Sequence, residues 1–554
     1  MPQDKRMTSG MTSEEVLAEA RSLSGLPAAS VESRLQVMRS WYRQSPAVFT
    51  PEAVQLLRQA ADAAKRASAE RALAVLKQVF GYPTFRPGQL EIIAALQAGS
   101  DCVGVMPTGA GKSVTYQIPA RLLGGLTLVV SPLISLMKDQ VDAMRHVGIR
   151  ATFLNSSLDA AERTRRSAGL RAGEYELLYA APEGLDASVG RLLDDLDLKL
   201  IAVDEAHCIS EWGHDFRPSY RNLAGLKERF NGIPVLALTA TATPRVKSDI
   251  IGQLALRAPV EVHGSFFRPN LRLFAVKKGQ GDGVRDMILR FIRARRDEAG
   301  IVYCLSRKAA DSMADFLRAK GIRAAAYHAG MTAEDRAGAQ ERFGRDEVDV
   351  VCATIAFGMG IDKPNVRYVL HRDMPRSIEG YYQEIGRAGR DGATSDCVLF
   401  YSWADVMSLE RLLENSQSED AQVVAQQRRA VRRMFDLADG VGCLWRSLAG
   451  HFAETIEPCG ASCGRCLARD IIADARPDDA IANPALLQRL QALRKRLAAE
   501  RGVPAFFVFS DRSLQDMTVR QPRTREEFLA VHGVGQKKLE EYADTFIGEI
   551  MLSG

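Results

Sequence analysis

No stretch of the 554 residues comes near the roughly 18 to 20 uninterrupted apolar positions needed to span a bilayer. The opening "MPQDKRMTSG" has no apolar core of the secretory kind. The expectation is a cytoplasmic protein with no membrane partner. An excess of one charge is lacking too: 73 Lys and Arg face 68 Asp and Glu, a net of +5. Over this length such a balance neither requires nor excludes a nucleic-acid partner, because local basic grooves can exist inside it. Cysteines in the dense pattern of a secreted disulfide scaffold are missing as well. Five of the nine, Cys102, Cys208, Cys304, Cys352 and Cys397, stand singly in apolar or strand-like runs and read as buried reduced thiols. What is present is 46% hydrophobic residues in a chain too long for a single core, which predicts several domains.

Residues 1–70 carry helix signals and no strand runs, with Thr50 and Pro51 as cap and first turn of a long helical stretch. Val31, Leu35, Met38 and Trp41 or Tyr42 recur there at helical spacing and read as packing on the neighbouring domain, with a protein-partner site on this extension as the other reading. From about 98 to 242 the pattern changes to short apolar runs, "DCVGVM", "LTLVVSP", "ELLYAAP", "LKLIAVDEA" and "PVLALTATA", separated by helical stretches. That alternation predicts a parallel sheet. It restarts after "FFRPNL" (266–271) with "GIVYCLS", "RAAAYHAG", "DVVCATIAFG", "VRYVLH" and "SDCVLFYS". The predicted fold class is therefore α/β, two tandem parallel-sheet domains (71–270 and 271–405) behind a helical extension (1–70). A helical module with clustered cysteines (406–470), a linker (471–482) and a small all-α domain (483–554) follow. A cleft between two such units is a natural ligand site.

Phosphate chemistry points to the first unit. "VGVMPTGAGKS" (103–113) joins an apolar strand to a turn containing Thr108, Gly109 and Gly111, then to Lys112 and Ser113 at a helix start. Backbone N–H groups and the helix dipole there favour a polyphosphate such as ATP, and Lys112 is placed to reach its β and γ phosphates. The strict pattern has Gly where this chain has Met106, so a glycine-rich turn of purely structural origin is the competing reading. Asp204 and Glu205 end another apolar strand, as expected if Ser113 and Asp204 hold Mg²⁺ and Glu205 orients the attacking water. Late in the chain Cys443, Cys459, Cys463 and Cys466, the last two at C-x₂-C spacing, point to a structural, tetrahedral Zn²⁺.

"PTGAGKS", "VDEAH", "LTATATP" (238–244), "FGMGID" (357–362) and "QEIGRAGRDG" (383–392), in this order, resemble the superfamily 2 helicases with two RecA-like domains. "FGYPTFRPGQ" (80–89) and "DEAHCISEWGHDFRPSYRNL" (204–223) narrow the resemblance to the RecQ family of DNA helicases. That resemblance implies adenine recognition by Tyr82, Arg86 and Gln89, and γ-phosphate contact by Arg387 and Arg390. It also implies a nucleotide-to-DNA link at Gly360 and Asp362, and coupling of hydrolysis to motion through Thr239 and Thr241. Trp212, His214, Phe216 and Arg217, so close in sequence to the Mg²⁺ acids, are read as a loop on which DNA bases stack and thereby switch on hydrolysis. "SPLISLMKDQ" (131–140), Asn155 and "YHAGM" (327–331) match segments that contact single-stranded DNA.

The block 483–554 resembles an HRDC domain, with Leu486, Leu490, Leu493 and Leu497 expected in its core. Its near balance of charge leaves weak nucleic-acid contact and protein docking both open. The turn "HGVGQKK" reads either as a phosphate-binding nest or as an ordinary turn with solvated lysines. The family's winged helix has no room between Cys466 and residue 483. The implied activity is 3′-to-5′ ATP-dependent unwinding of tailed or branched DNA. A DNA-stimulated translocase or strand-annealing remodeller, and a DNA-binding scaffold with weak ATPase, stand as alternatives.

Overall fold

The computed structural model describes residues 12–552 except 27, 133, 186–187, 211–215, 231, 280, 359–362, 415–420 and 473–482. The first sheet contains β1 (Cys102–Val105), β2 (Leu126–Val130), β3 (Ala151–Leu154), β4 (Leu177–Ala180), β5 (Leu198–Val203), β6 (Val235–Thr239) and β7 (Val260–His263). Its order is β3-β4-β2-β5-β6-β1-β7. The second contains β8 (Leu271–Lys277), β9 (Ala299–Tyr303), β10 (Ala324–Tyr327), β11 (Val350–Ala353), β12 (Val366–His371) and β13 (Ser395–Tyr401), in the order β10-β11-β9-β12-β13-β8. Pairing is parallel throughout both sheets. Central strands are buried end to end, as expected when helices cover both faces.

Functional loops leave the carboxyl ends of these strands, where open α/β sheets bind ligands. The strand that carries the Gly-rich loop is pinned at its start. Buried Asp101 accepts N–H bonds from Val235 (3.0 Å) and Arg257 (2.7 Å) and pairs with buried Lys227. With its lone pairs satisfied, the carboxylate ties β1 to β6 and to the approach of β7 instead of standing as an unpaired buried charge.

Thr50 caps, and Pro51 begins, a helix that runs unbroken to Phe80. It passes straight through residue 70, so the N-terminal extension and the first α/β unit share one rod. Val31, Leu35 and Met38 are buried and Trp41 is partly so, but against this rod and the helix Ser13–Ser22, not against the first sheet; Tyr42 is largely exposed. The cysteine module follows the second sheet, with helices Trp403–Glu414, Ala421–Asp439 and Leu444–His451. Leu486, Leu490 and Leu493 are buried in the core of the C-terminal helices and Leu497 packs partly against it. Among the described residues no helix is long and apolar enough to cross a membrane.

Candidate active site

A cleft of about 630 Å³ opens between the two sheets. Its floor is the turn after β1. Gly109 and Gly111 adopt φ of 83° and 77°, which side chains other than glycine rarely take. Their peptide planes close the turn onto the helix Val114–Leu122. Lys112 donates through Nζ to the Met106 carbonyl at 3.2 Å. Burial lowers its pKa, Glu205 and Asp204 oppose that shift, and Arg390 and Arg387 add to it, so charges from both units meet at this ammonium.

Asp204 leaves β5 buried, and its pKa is pushed up to about 7, first by burial and then by Glu205, against the pull of Lys112. A carboxylate so short of compensating positive charge, in a cleft that Ser113 also lines, fits a divalent cation. Glu205 takes φ 49°, a left-handed conformation uncommon for this residue type, and strain of this kind is typical of functional positions. Its Oε2 lies 3.4 Å from His207 Nδ1, and His207 Nδ1 lies 3.0 Å from Thr239 Oγ1. Thr239 in turn donates to the Thr241 carbonyl at 3.0 Å. The buried His207 thus stands between Glu205 and the "TAT" segment, a placement not assigned from sequence, although the residue stands in plain view in "DEAH".

At the end of the cleft where Tyr82, Arg86 and Gln89 stand, Gln89 is buried and accepts from the Arg86 N–H (2.8 Å), while its amide donates to the carbonyls of Ala110 and Gly111. Arg86 donates to the Gly109 carbonyl. Across the cleft, the loop after the helix Ile378–Ile385 brings Arg387 and Arg390 to the lining. Arg387 is 7% exposed, burial lowers its pKa, and its Nε has no hydrogen-bond partner. A buried, incompletely satisfied guanidinium is costly, and a phosphate oxygen would relieve it. The same loop is held by Asp391, which takes two bonds from Arg367 at 2.8 and 2.7 Å.

The four thiols of Cys443, Cys459, Cys463 and Cys466 all lie within 4.8 Å of one another. Tetrahedral zinc at about 2.3 Å from each sulfur needs sulfurs about 3.8 Å apart. The Cys443 and Cys463 sulfurs, 4.0 Å apart, fit that requirement. N–H groups of Arg446 (3.5 Å) and Cys459 (3.3 Å) point at Cys443 Sγ, as a thiolate ligand would need.

Family models match in the order of these parts: DEAD/DEAH box helicase over residues 86–250, helicase conserved C-terminal domain over 283–392, RecQ zinc-binding over 403–467 and HRDC domain over 483–550. Over 585 aligned positions the chain is 37% identical to the ATP-dependent DNA helicase RecQ of Bacillus subtilis (strain 168), covering 87% of this chain and 98% of that one. The chain belongs to the RecQ family. It is likewise 37% identical to the RecQ helicase of Pasteurella multocida (strain Pm70), covering 86% and 93% of the two chains. Identity rises to 47% with that of Haemophilus influenzae over 72% of this chain and 63% of the other. The Bacillus alignment has more positions than this chain has residues, so that RecQ carries segments with no counterpart here. Between the zinc-binding and HRDC matches only residues 468–482 remain, too few for another folded domain.

Two further features of this RecQ chain were not read from its sequence. The cleft is capped by the HRDC domain: Phe506, Phe507, Ser510, Arg512, His532 and Lys538 line it beside Tyr82. Tyr82 and His532 rings lie 5.8 Å apart, and Lys537 donates to the His146 carbonyl. The "HGVGQKK" turn packs Gly535 against Gly81, so it faces the motor, and burial lowers the pKa of Lys538 to about 8. No pattern within either segment announces a contact between positions so far apart in the chain. The second feature is Arg268, whose guanidinium reaches carbonyls in both units.

Of the DNA-coupling set, Trp212 and His214 lie outside the described residues, as do Gly360 and Asp362. Phe216 lies 5.2 Å under the Arg221 guanidinium, and Arg217 donates to the Pro132 carbonyl at 3.1 Å, joining the exit of the aromatic loop to the "SPLIS" segment. Asn155 is buried, its Oδ1 engaged by Ser157.

Proposed function

We infer that this protein is an ATP-dependent DNA helicase that translocates 3′ to 5′ along single-stranded DNA and separates the duplex ahead of it. The observation that carries this reading is the convergence on one cleft of Lys112, Asp204 and Glu205 from one sheet with Arg387 and Arg390 from the other. Closure of the units completes the site, and hydrolysis releases it, which is the mechanical stroke.

In this proposal Lys112 and the N–H groups of residues 108–113 hold the β and γ phosphates, while Tyr82, Arg86 and Gln89 hold the base. Ser113 and Asp204 hold Mg²⁺, which when bound draws charge from the transferred phosphoryl group. Glu205 orients the attacking water and accepts its proton, and Arg387 and Arg390 stabilise charge that develops on the γ-phosphate oxygens. His207 hands the state of Glu205 to Thr239. Base stacking on the loop that contains Trp212, His214 and Phe216 shifts the neighbouring acids, so DNA switches on turnover. Zn²⁺ on its four thiolates is structural, since no ligand position remains open for water.

Hydrolysis assayed with and without single-stranded DNA tests the reading. Stimulation by DNA is expected in the native chain, with complete loss in Lys112→Ala. Arg387→Ala should lose roughly 10³-fold or more in kcat with a smaller change in KM. Hydrolysis indifferent to DNA would contradict it. One observation favours a second reading, a translocase without processive unwinding: the short 468–482 stretch leaves no room for an additional strand-separating domain before the HRDC helices.

A further inference from the structure

The segment that joins the two sheets, Ser265 to Asn270, looks in sequence like a boundary. In space it is gripped from several sides. The Glu454 carboxylate accepts from Ser265 Oγ (2.6 Å) and from the Phe266 N–H (2.7 Å). Phe452 stacks on Phe266 with ring centroids 4.3 Å apart and planes 7° from parallel. Tyr382 donates its hydroxyl to the Phe266 carbonyl (3.0 Å), and Ser462 donates to the Pro269 carbonyl (2.8 Å). The backbone on both sides of Arg268 is therefore fixed.

Arg268 is 9% exposed, and its guanidinium binds four backbone carbonyls. Nη1 donates to Thr108 (3.1 Å) and Gly386 (3.3 Å); Nη2 donates to Ala388 (3.1 Å) and Gly389 (2.7 Å). Thr108 belongs to the phosphate loop of the first unit. The other three belong to the second unit's loop that carries Arg387 and Arg390. Burial lowers the Arg268 pKa to about 10, so it stays charged at neutral pH. The two loops meet without slack at this point: a Cβ built on Gly386 would stand 2.7 Å from Thr108 Cβ.

We propose that Arg268 is a positioning residue that sets the register between the two halves of the active site. A planar guanidinium spans four acceptors at fixed angles, which the single ammonium of lysine cannot do. Three of the four acceptors lie in the second unit, which Arg268 directly precedes in the chain. The fork therefore travels with that unit, and its bond to the Thr108 carbonyl is the one made on closure and broken on opening. While made, it sets where Arg387 and Arg390 stand relative to phosphates held by Lys112. The proposal rests on the roles given above to those two arginines.

The test uses the full chain with Arg268→Lys, Gly386→Ala and their double variant, with Arg387→Ala alongside. For each, DNA-stimulated kcat, affinity for a fluorescent ATP analogue without DNA, and the melting curve are measured. Each single variant should lose roughly 10²-fold in kcat, the scale of a misplacement of about 1 Å. Nucleotide affinity should stay within about threefold, and the double should be no worse than the poorer single variant within the same margin, because both spoil one contact. An Arg268→Lys chain with native kcat overturns the proposal. So does a loss in kcat accompanied by equal losses in affinity and melting temperature, which marks a merely structural role, and so do multiplicative losses in the double. Native kcat in Arg387→Ala would instead overturn the arginine reading itself, and the proposal with it.

Discussion

The zinc module and the HRDC domain both follow the second sheet, yet they are joined to the motor in opposite ways. Trp445, Leu448, Phe452 and Cys463 belong to the same apolar cluster as Leu271, Leu273 and Tyr382. The Trp445 indole donates to the Leu271 carbonyl at 3.0 Å, and Cys463 bridges to Leu273 as an added strand position. The HRDC helices instead close a core of their own around Leu490, Phe509, Leu514 and Phe546. They reach the motor through side-chain contacts along a seam: Tyr82 with His532, His146 with Phe507, Arg512 with the Asp391 carbonyl at 3.4 Å, and Arg367 with Asp511 at 4.0 Å, the last two side chains being mostly buried. A shared core cannot be removed without exposing what it buries, whereas the HRDC seam joins two cores that are closed separately. One module shares the motor's core as a brace; the other closes a core of its own and caps the cleft.

The largest expected effect breaks the brace. Chelation, or Cys463→Ser, should abolish the cooperative melting transition of the motor and lose ATP binding along with it, because the metal's binding energy is folding energy here. Survival of the native melt would show that the shared core suffices without metal. Next comes removal of the cap. A chain ending at residue 482 should keep the motor's melting transition and hydrolyse ATP, but release fluorescent ADP several-fold faster, on the order of three- to tenfold, in a stopped-flow experiment. His532→Ala, which deletes the ring beside Tyr82, should give part of that acceleration, since an aromatic pair contributes roughly 0.5–1.5 kcal/mol.

The smallest effect is one of pH. Burial lowers the His532 pKa from its ordinary 6.5 to about 4, with Arg512 and Arg86 adding to the shift and Asp516 opposing it. The motor's share of that shift, the approach of Arg86 and burial against Tyr82, makes the undocked cap bind protons more readily than the docked one, so docking weakens as pH falls below the ordinary histidine range. ADP release should quicken between pH 7 and 5 in the native chain and not in His532→Ala, which separates this histidine from the acids nearby.

The same contrast explains what was legible from sequence. The Gly-rich loop, the two acids of "DEAH" and the cysteine cluster are contiguous or nearly so, and local spacing points to their chemistry, whereas the arginine loop was read only through the family resemblance. The central strands were visible as apolar runs. Three strands were not: "ATFL", "VEVH", which lies at the sheet edge largely exposed with Glu261 and His263 outward, and "LRLFAVK", which follows directly on the "FFRPNL" segment. The stripe Val31, Leu35 and Met38 showed that a face is buried and not what covers it. Arg268 was unreadable because its partners are carbonyls, which any residue supplies. The cap was unreadable because its contacts join segments hundreds of positions apart.

Strand separation is the most direct measurement of the central claim. It would follow a duplex with a 3′ single-stranded tail, its 5′-tailed counterpart and a matched RNA duplex, with Lys112→Ala as control. Unwinding of the 3′-tailed DNA alone, dependent on ATP and lost in the control, is the predicted result. DNA-stimulated hydrolysis with every duplex left intact would contradict it and make this RecQ chain a translocase.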